Sequence, residues 1–256
     1  MGKLLALAGS AIDGIKINAI SSETRGGRVV WVKRRRRFSG QISCCANLFF
    51  RLAENPVIVW SERALWQRWE IACFKLLNGE TFLAFAEGAH TVCAEPIPGK
   101  SLSQHLEEQT LDERMLASAA REFRRAHQLQ CDQFPGGAWS HGDPHLANLL
   151  YEAAEDRVRF IDFEVVHCRS ISPVARHADD LLVVLLDLMG RLPAEQWLPF
   201  ALTFLCAYND PTVTTAVKER LHVPRGIPRL WWAIRTEFLN GVEMRRRVES
   251  LRAALP

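Results

Sequence analysis

The stretch from His141 to Glu164 constrains this chain more than any other. It reads His141-Gly142-Asp143-Pro144-His145-Leu146-Ala147-Asn148-Leu149-Leu150-Tyr151, then Arg157-Val158-Arg159-Phe160-Ile161-Asp162-Phe163-Glu164. A polar loop runs into an apolar strand, Glu155-Asp156 supplies a turn, and a second strand ends in an acid. The hairpin so formed brings Asp143, Asn148 and Asp162 together. Phosphoryl transfer from ATP needs such residues. Mg²⁺ bridging the phosphates prefers oxygen ligands such as an Asp carboxylate and an Asn amide. A further carboxylate must take the proton of the acceptor hydroxyl, a role worth about 10²–10⁴-fold in rate. By residue type, Asp143 fits the base and Asn148 and Asp162 fit the metal.

Other readings of the same residues stay open. His141 and His145 could ligate a metal in an H-x-D-x-H cluster, although Gly142 and Pro144 exclude a helical presentation. Alternatively, His141 is a buried histidine bonded to the loop backbone. His167 and His177 stand isolated and receive no role.

The rest of the chain supplies a strand-rich first part and a helical second part. Strands are expected at Leu4–Ala8, Ile15–Ile20 and Val29–Lys33, the last two joined by Arg25-Gly26-Gly27-Arg28 as a hairpin. A helix starts at Ser61 and carries Leu65, Trp69, Ala72 and Leu76 to Asn78-Gly79. Short strands follow at Thr81–Phe85 and Thr91–Cys93, then the linker Glu95-Pro96-Ile97-Pro98-Gly99. Beyond it, Leu111 to Leu129 forms an apolar helical stripe. Asp179–Leu192 is apolar nearly all round and ends at Gly190, with Asp179 and Asp180 expected to cap its positive end. Phe200–Tyr208 and Trp231–Leu251 read as further helices. The predicted class is α+β in two lobes, residues 1–95 and 96–256.

Composition narrows the setting. With 48% hydrophobic and 24% charged residues the chain is an ordinary globular protein rather than a disordered one. A formal charge of +3 does not by itself imply nucleic acid. Positive residues nevertheless cluster at Lys33–Arg37, at Arg121, Arg124 and Arg125, and at Arg245–Arg247. These are solvated faces or contacts for an anionic partner, such as a phosphorylated substrate or a membrane surface. Seven cysteines without C-x-x-C spacing argue for a reducing compartment, and no apolar run reaches the roughly 20 residues of a membrane span. A cytoplasmic protein is expected, with peripheral contact at the inner face of a membrane left open.

The motif H-G-D-x-H-x-x-N followed by I-D-F-E resembles the catalytic loop and metal motif of the protein-kinase-like superfamily. Asp143 stands five residues before Asn148, and Asp162 fourteen after it, as there. Gly142, His145 and Asp162-Phe163-Glu164 resemble the small-molecule branch that includes aminoglycoside phosphotransferases. Lys33–Gly40, an inserted segment, Arg68-Trp69-Glu70 and Glu95–Leu102 are similar to the lipopolysaccharide-core kinases, which phosphorylate Kdo or heptose. The resemblance covers roughly residues 29 to 190. It implies a kinase-like fold binding ATP and Mg²⁺ near residues 95 to 100, with Glu95 and Lys33 toward the nucleotide, Glu70 holding Lys33, and an Asp at Asp179-Asp180 able to brace the catalytic loop rather than cap a helix. It also implies a small-molecule or glycolipid hydroxyl as acceptor.

Two departures stand beside it. Kinases carry a small residue two before the lysine, where Trp31 stands here. A strand phase shifted by one would put Val32 on the nucleotide and Arg34 in place of Lys33. The glycine-rich loop is absent as a motif, with Gly9–Gly14 the small-residue loop in a suitable place. Glu70 could instead be a surface residue of its helix. Rival acceptors are an antibiotic, a choline-like alcohol or a protein, and a pseudokinase that binds without catalysis is the rival of another class.

Overall fold

The computed structural model describes residues 17–131 and 137–256. The expected strand Leu4–Ala8 and loop Gly9–Gly14 lie outside them. The predicted hairpin forms, from β1 (Asn18–Arg25) and β2 (Arg28–Arg35), the strands joined by Gly26-Gly27. β4 (Ala84–Glu87) and β5 (Thr91–Ala94) complete an antiparallel sheet of order β1-β2-β5-β4. Register sets the residues opposite Lys33: Ile20 on β1 and Val92 on β5. Alternation puts Val30 and Val32 with Cys93 in a small apolar cluster on one face. Trp31, Lys33 and Arg35 therefore share the other face.

That second face meets α2 (Arg63–Asn78), whose Trp66, Trp69, Glu70, Cys73, Phe74 and Leu77 are buried at spacings of three and four. The helix begins two residues after the expected start and ends as expected at Asn78. Between β2 and α2 lies a helix the sequence reading left unassigned, α1 (Ser39–Leu52), followed by β3 (Val57–Val59). β3 pairs antiparallel with β9 (Val165–His167), directly after the Ile161–Glu164 motif. The inserted segment is thereby tied to the C-terminal half of the chain.

The C-terminal half is built round two helices. In α4 (Glu113–His127), Leu116, Ala119, Phe123 and Ala126 are fully buried, and Asp112 caps it by accepting from the Met115 N–H at 2.9 Å. α4 packs on the hairpin of β7 (Leu149–Glu152) and β8 (Arg157–Phe160), and on α6 (Ala194–Tyr208). The linker Glu95–Gly99 leads to β6 (Lys100–Ser101), which joins that hairpin, and to α3 (Leu102–Glu107).

α5 (Pro173–Arg191) is the central helix, with 14 of its 19 residues buried. It starts earlier than expected, with Ser172 as cap and Pro173 in its first turn. Asp179 and Asp180 consequently lie inside the helix, not at its end, and the capping role assigned to them is corrected. Gly190, near its C-terminus, faces the Thr236 backbone so closely that a Cβ there would overlap it. The single helix expected over Trp231–Leu251 is two, α8 (Gly226–Arg235) and α9 (Gly241–Ala254). Glu237 and Phe238 break it in the left-handed region (φ 47° and 59°), and Asn240 caps the next helix. α7 (Pro211–Arg220) and α8 pack on α5.

Candidate active site

A cavity of about 440 Å³ opens between the N-terminal sheet and the β7–β8 hairpin. Ile20, Val92, Ala94, Ile97, Leu150 and Ile161 give it apolar walls, and Lys33, Glu70, Asn148 and Asp162 a polar end, with Glu95 also on the lining. Five of the six residues singled out from sequence therefore meet in one space. The sixth, Asp143, is not on that lining but sits on the turn that precedes Asn148.

Strand phase puts Lys33, and not Arg34, on the cavity face. The Lys33 ammonium donates to both Glu70 oxygens, at 2.9 and 3.1 Å, and to Asp162, with Glu164 at 3.9 Å. Arg34 points to the opposite face and pairs with Glu23 at 3.0 Å. Trp31 shares the cavity face, 48% exposed, so the position two before the lysine is filled by an indole. Glu70 is no surface residue: it is 1% exposed and accepts from Trp66 Nε1 at 3.0 Å, one helical turn back.

This end of the cavity is rich in negative charge. Burial would lower the Lys33 pKa, but Asp162, Glu70 and Glu164 outweigh it and hold the ammonium charged. Burial, then Asp162, raises Glu164 to about 7 against the pull of Lys33 and Arg35. Burial likewise raises Glu70, whereas at Asp162 burial is overcome by Lys33 and the carboxyl is lowered. Asp162 itself adopts φ 66°, a left-handed conformation that few residues other than Gly, Asn and Asp take readily. Arg35 is buried with its guanidinium 4.6 Å over the Trp66 ring. Asn18 donates to Glu164, whose backbone carbonyl accepts from Trp60 just beyond β3.

The catalytic-type loop is held from behind by Asp180. Its two oxygens accept from the His141 and Gly142 backbone N–H groups, both at 2.8 Å, and from His127 Nε2 at 3.1 Å. Its own burial would raise its pKa, but the surrounding imidazoles and donors drive it far below the carboxylate range. Asp187 accepts from Leu146 N at 2.7 Å, so α5 braces the loop at two points on the same helical face, about two turns apart. Gly142 has φ 90°, and a Cβ there would lie 3.0 Å from the Val165 carbonyl oxygen. Any side chain at this position would be strained by the positive φ and crowded by the Val165 backbone.

His141 is the backbone-bonded histidine. Nε2 donates to the Ile161 carbonyl at 3.0 Å and Nδ1 accepts from Asp143 N at 3.3 Å, so neither ring nitrogen is left for a metal. Among the described residues no group of three or more His, Cys, Asp or Glu is arranged to hold a metal ion. His167 and His177, given no role from sequence, belong to the buried frame. His167 bridges Ser140 and Asp179, and His177 stacks on His127 with ring centroids 3.9 Å apart.

Asn148, on the cavity lining, lies on a 3₁₀ turn (Leu146–Asn148), and its amide nitrogen donates to the Asp143 carbonyl at 2.9 Å. The Asp143 carboxylate forms an ion pair with Arg235, the last residue of α8. Arg235 in turn lies 4.3 Å over the Trp231 ring. The sequence carries no signal for this partner, because 92 residues separate the two and only tertiary packing joins them.

No family model matches the sequence, and no curated protein does. Among solved structures, an ethanolamine kinase from Plasmodium vivax is similar with a TM-score of 0.51 at 9% identity, over 93% of this chain and 79% of that one. Rv3197 of Mycobacterium tuberculosis, in its erythromycin complex, gives a TM-score of 0.41 at 16% identity, over 72% of this chain and 51% of that one. The first likeness is one of fold, so this chain is an α+β protein with the two-lobed protein-kinase-like fold.

Proposed function

We propose that this protein is an ATP-dependent phosphotransferase that moves the γ-phosphoryl group to an alcohol. The observation that carries the reading is the convergence of Lys33, Glu70, Asn148 and Asp162 on one cavity, one turn from Asp143. Lys33 would meet the α- and β-phosphates and Glu70 would fix its ammonium. Ile20, Val92 and Ala94 would enclose the base, with Glu95 at the inter-lobe edge. Asn148 and Asp162 offer an amide oxygen and a carboxylate, a donor set that fits Mg²⁺, which keeps few protein ligands and takes the rest from phosphate and water. Mg²⁺, when bound, neutralises the charge of the phosphates. Asp143 would orient the acceptor hydroxyl and receive its proton, held in place by the Asp180 frame.

The acceptor we favour is a sugar of a lipopolysaccharide-type glycoconjugate, on the motifs at Lys33–Gly40, Arg68–Glu70 and Glu95–Leu102. The ethanolamine kinase likeness supports a small amino alcohol as the competing acceptor. We place the enzyme in the cytoplasm, in peripheral contact with a membrane; no helix among the described residues is long and apolar enough to cross one. Purified protein offered labelled ATP, Mg²⁺ and a panel of glycolipid, aminoglycoside and amino-alcohol acceptors tests both statements. Phosphorylated product that falls about 10²-fold or more in Asp143→Ala is expected. Absence of Mg²⁺-dependent ATP binding would leave only the pseudokinase reading.

A further inference from the structure

The basic clusters visible in the sequence are only partly free for an anionic partner: Arg36, Arg37, Arg121, Arg245 and Arg246 are exposed, while their neighbours are paired or buried. Arg34 is paired with Glu23 and Arg35 is buried on Trp66. Arg124 and Arg125 pair with Asp210 and Glu122, and Arg247 is buried against the Met189 and Leu192 carbonyls.

A different surface is apolar and basic at once. On α1, Cys44, Cys45, Leu48, Arg51 and Leu52 are exposed, at spacings that share one side of a helix. The other side is anchored: Asn47 exchanges hydrogen bonds with Val59, and Phe49 and Phe50 pack edge-on to Trp231 of α8. This docking sets Leu52 and Ile227 on one groove, together with Arg225. Leu48, Leu52, Ile227 and Leu230 are 59, 52, 42 and 39% exposed. Beyond the N-terminus of α1, exposed Phe38 follows exposed Arg36 and Arg37. Among the described residues none of Arg36, Arg37, Arg51 and Arg225 forms a salt bridge; Glu54 is the acid on the groove.

We infer that α1 and the start of α8 form a docking face for an anionic phospholipid bilayer. Exposed aliphatic side chains rimmed by arginines match the boundary between headgroups and acyl chains, where arginines reach lipid phosphates while their stems stay apolar. A second copy of the chain would bring the same arginines against one another, which opposes self-association through this face. The face also has a direct line to chemistry. Arg235, paired with Asp143, lies eight residues beyond Ile227 on the same helix, about 12 Å along its axis. A membrane-held acceptor would thus arrive beside Asp143, a corollary that rests on the phosphotransferase reading, whereas the docking itself does not.

Sedimentation with vesicles tests it. The protein is expected to bind vesicles of phosphatidylcholine with phosphatidylglycerol and not phosphatidylcholine alone, with binding weakened by salt. Leu48→Glu with Ile227→Glu, or Arg51→Glu with Arg225→Glu, should each weaken binding tenfold or more, and Arg245→Glu should not. Anionic vesicles should also protect the exposed thiols of Cys44 and Cys45 from maleimide while Cys206 on α6 continues to react. Wild-type protein that ignores anionic vesicles, or equal labelling of these thiols with and without them, overturns the proposal. So does a dimer, seen by light scattering, that the same substitutions dissolve. ATP turnover in the same preparations separates the two readings: lost docking with turnover retained refutes only the face, and docking without turnover refutes only the enzyme.

Discussion

Asp180 is fully buried, whereas of the carboxylates around Lys33 Glu70 is buried and Asp162 and Glu164 are partly exposed. The two centres meet their negative charge by opposite means. Asp180 faces two backbone N–H groups and an imidazole, all fixed by the loop and helix they belong to. Around Lys33, three carboxylates share one ammonium and the nearby Arg35 guanidinium, so negative charge is in excess. A carboxylate that only holds structure is satisfied by directed, immobile donors and has nothing left to offer. One left short of positive charge in a cavity is where a cationic ligand gains most. The difference separates frame from workplace without reference to any relative.

The comparison can be broken experimentally, most severely at the frame. Asp180→Ala leaves two buried N–H groups without an acceptor and should cost about 3–5 kcal/mol, read as a lower thermal midpoint. Asp180→Asn, which keeps one of the two acceptor oxygens, should recover part of it. At the other centre Lys33→Met should cost about 3 kcal/mol by stranding Glu70 and Asp162, again by thermal or denaturant unfolding. Adding Glu70→Leu should return at least half of that stability, because the stranded charge goes with its partner, but not ATP binding. A frame carboxylate would give no such recovery.

A smaller effect concerns pH. Glu164 has its folded pKa raised from 4.5 to about 7, so the native state binds the extra proton. Its contribution is present below about pH 4.5 and is lost as the pH rises through about 7. Glu164→Gln should flatten that part of the stability–pH curve, measured by urea unfolding at several pH values. Least of all, Trp31→Ala should leave stability within about 0.5 kcal/mol, since the side chain is half exposed, while changing the affinity for adenine nucleotides by fluorescence titration.

The catalytic-type loop was legible in the sequence because its chemistry is local: Asp143, Asn148 and Asp162 lie within twenty residues, on a hairpin whose alternation is plain. Lys33 and Glu70 entered only through the family resemblance, with Arg34 and a surface Glu70 left open, because a short strand does not by itself fix which face meets a distant helix; the structure puts both side chains on the cavity. The capping reading of Asp180 fails because Ser172-Pro173 signals the true helix start seven residues before the acids that resemble a cap, and its alternative, a brace on the loop, came only from the family resemblance. α1 was left unassigned: Cys44, Cys45 and Leu48 face outward, and this exposed apolar side blurs the amphipathic period that would have revealed a helix. The Arg235 pair with Asp143 depends on how three helices pack, which no window of sequence contains.

That packing has a pinch point. Thr236, whose backbone lies against Gly190, is the neighbour of Arg235. One added methyl at Gly190 would have to push the end of α8 aside, and the guanidinium would move with it. In a survey of random variants, Gly190→Ala should therefore score with the reaction centre rather than with the core, despite belonging to neither the cavity nor the loop. Nearness to the chemistry would be a poor guide to which positions tolerate drift; the spacing between two helices would be a better one.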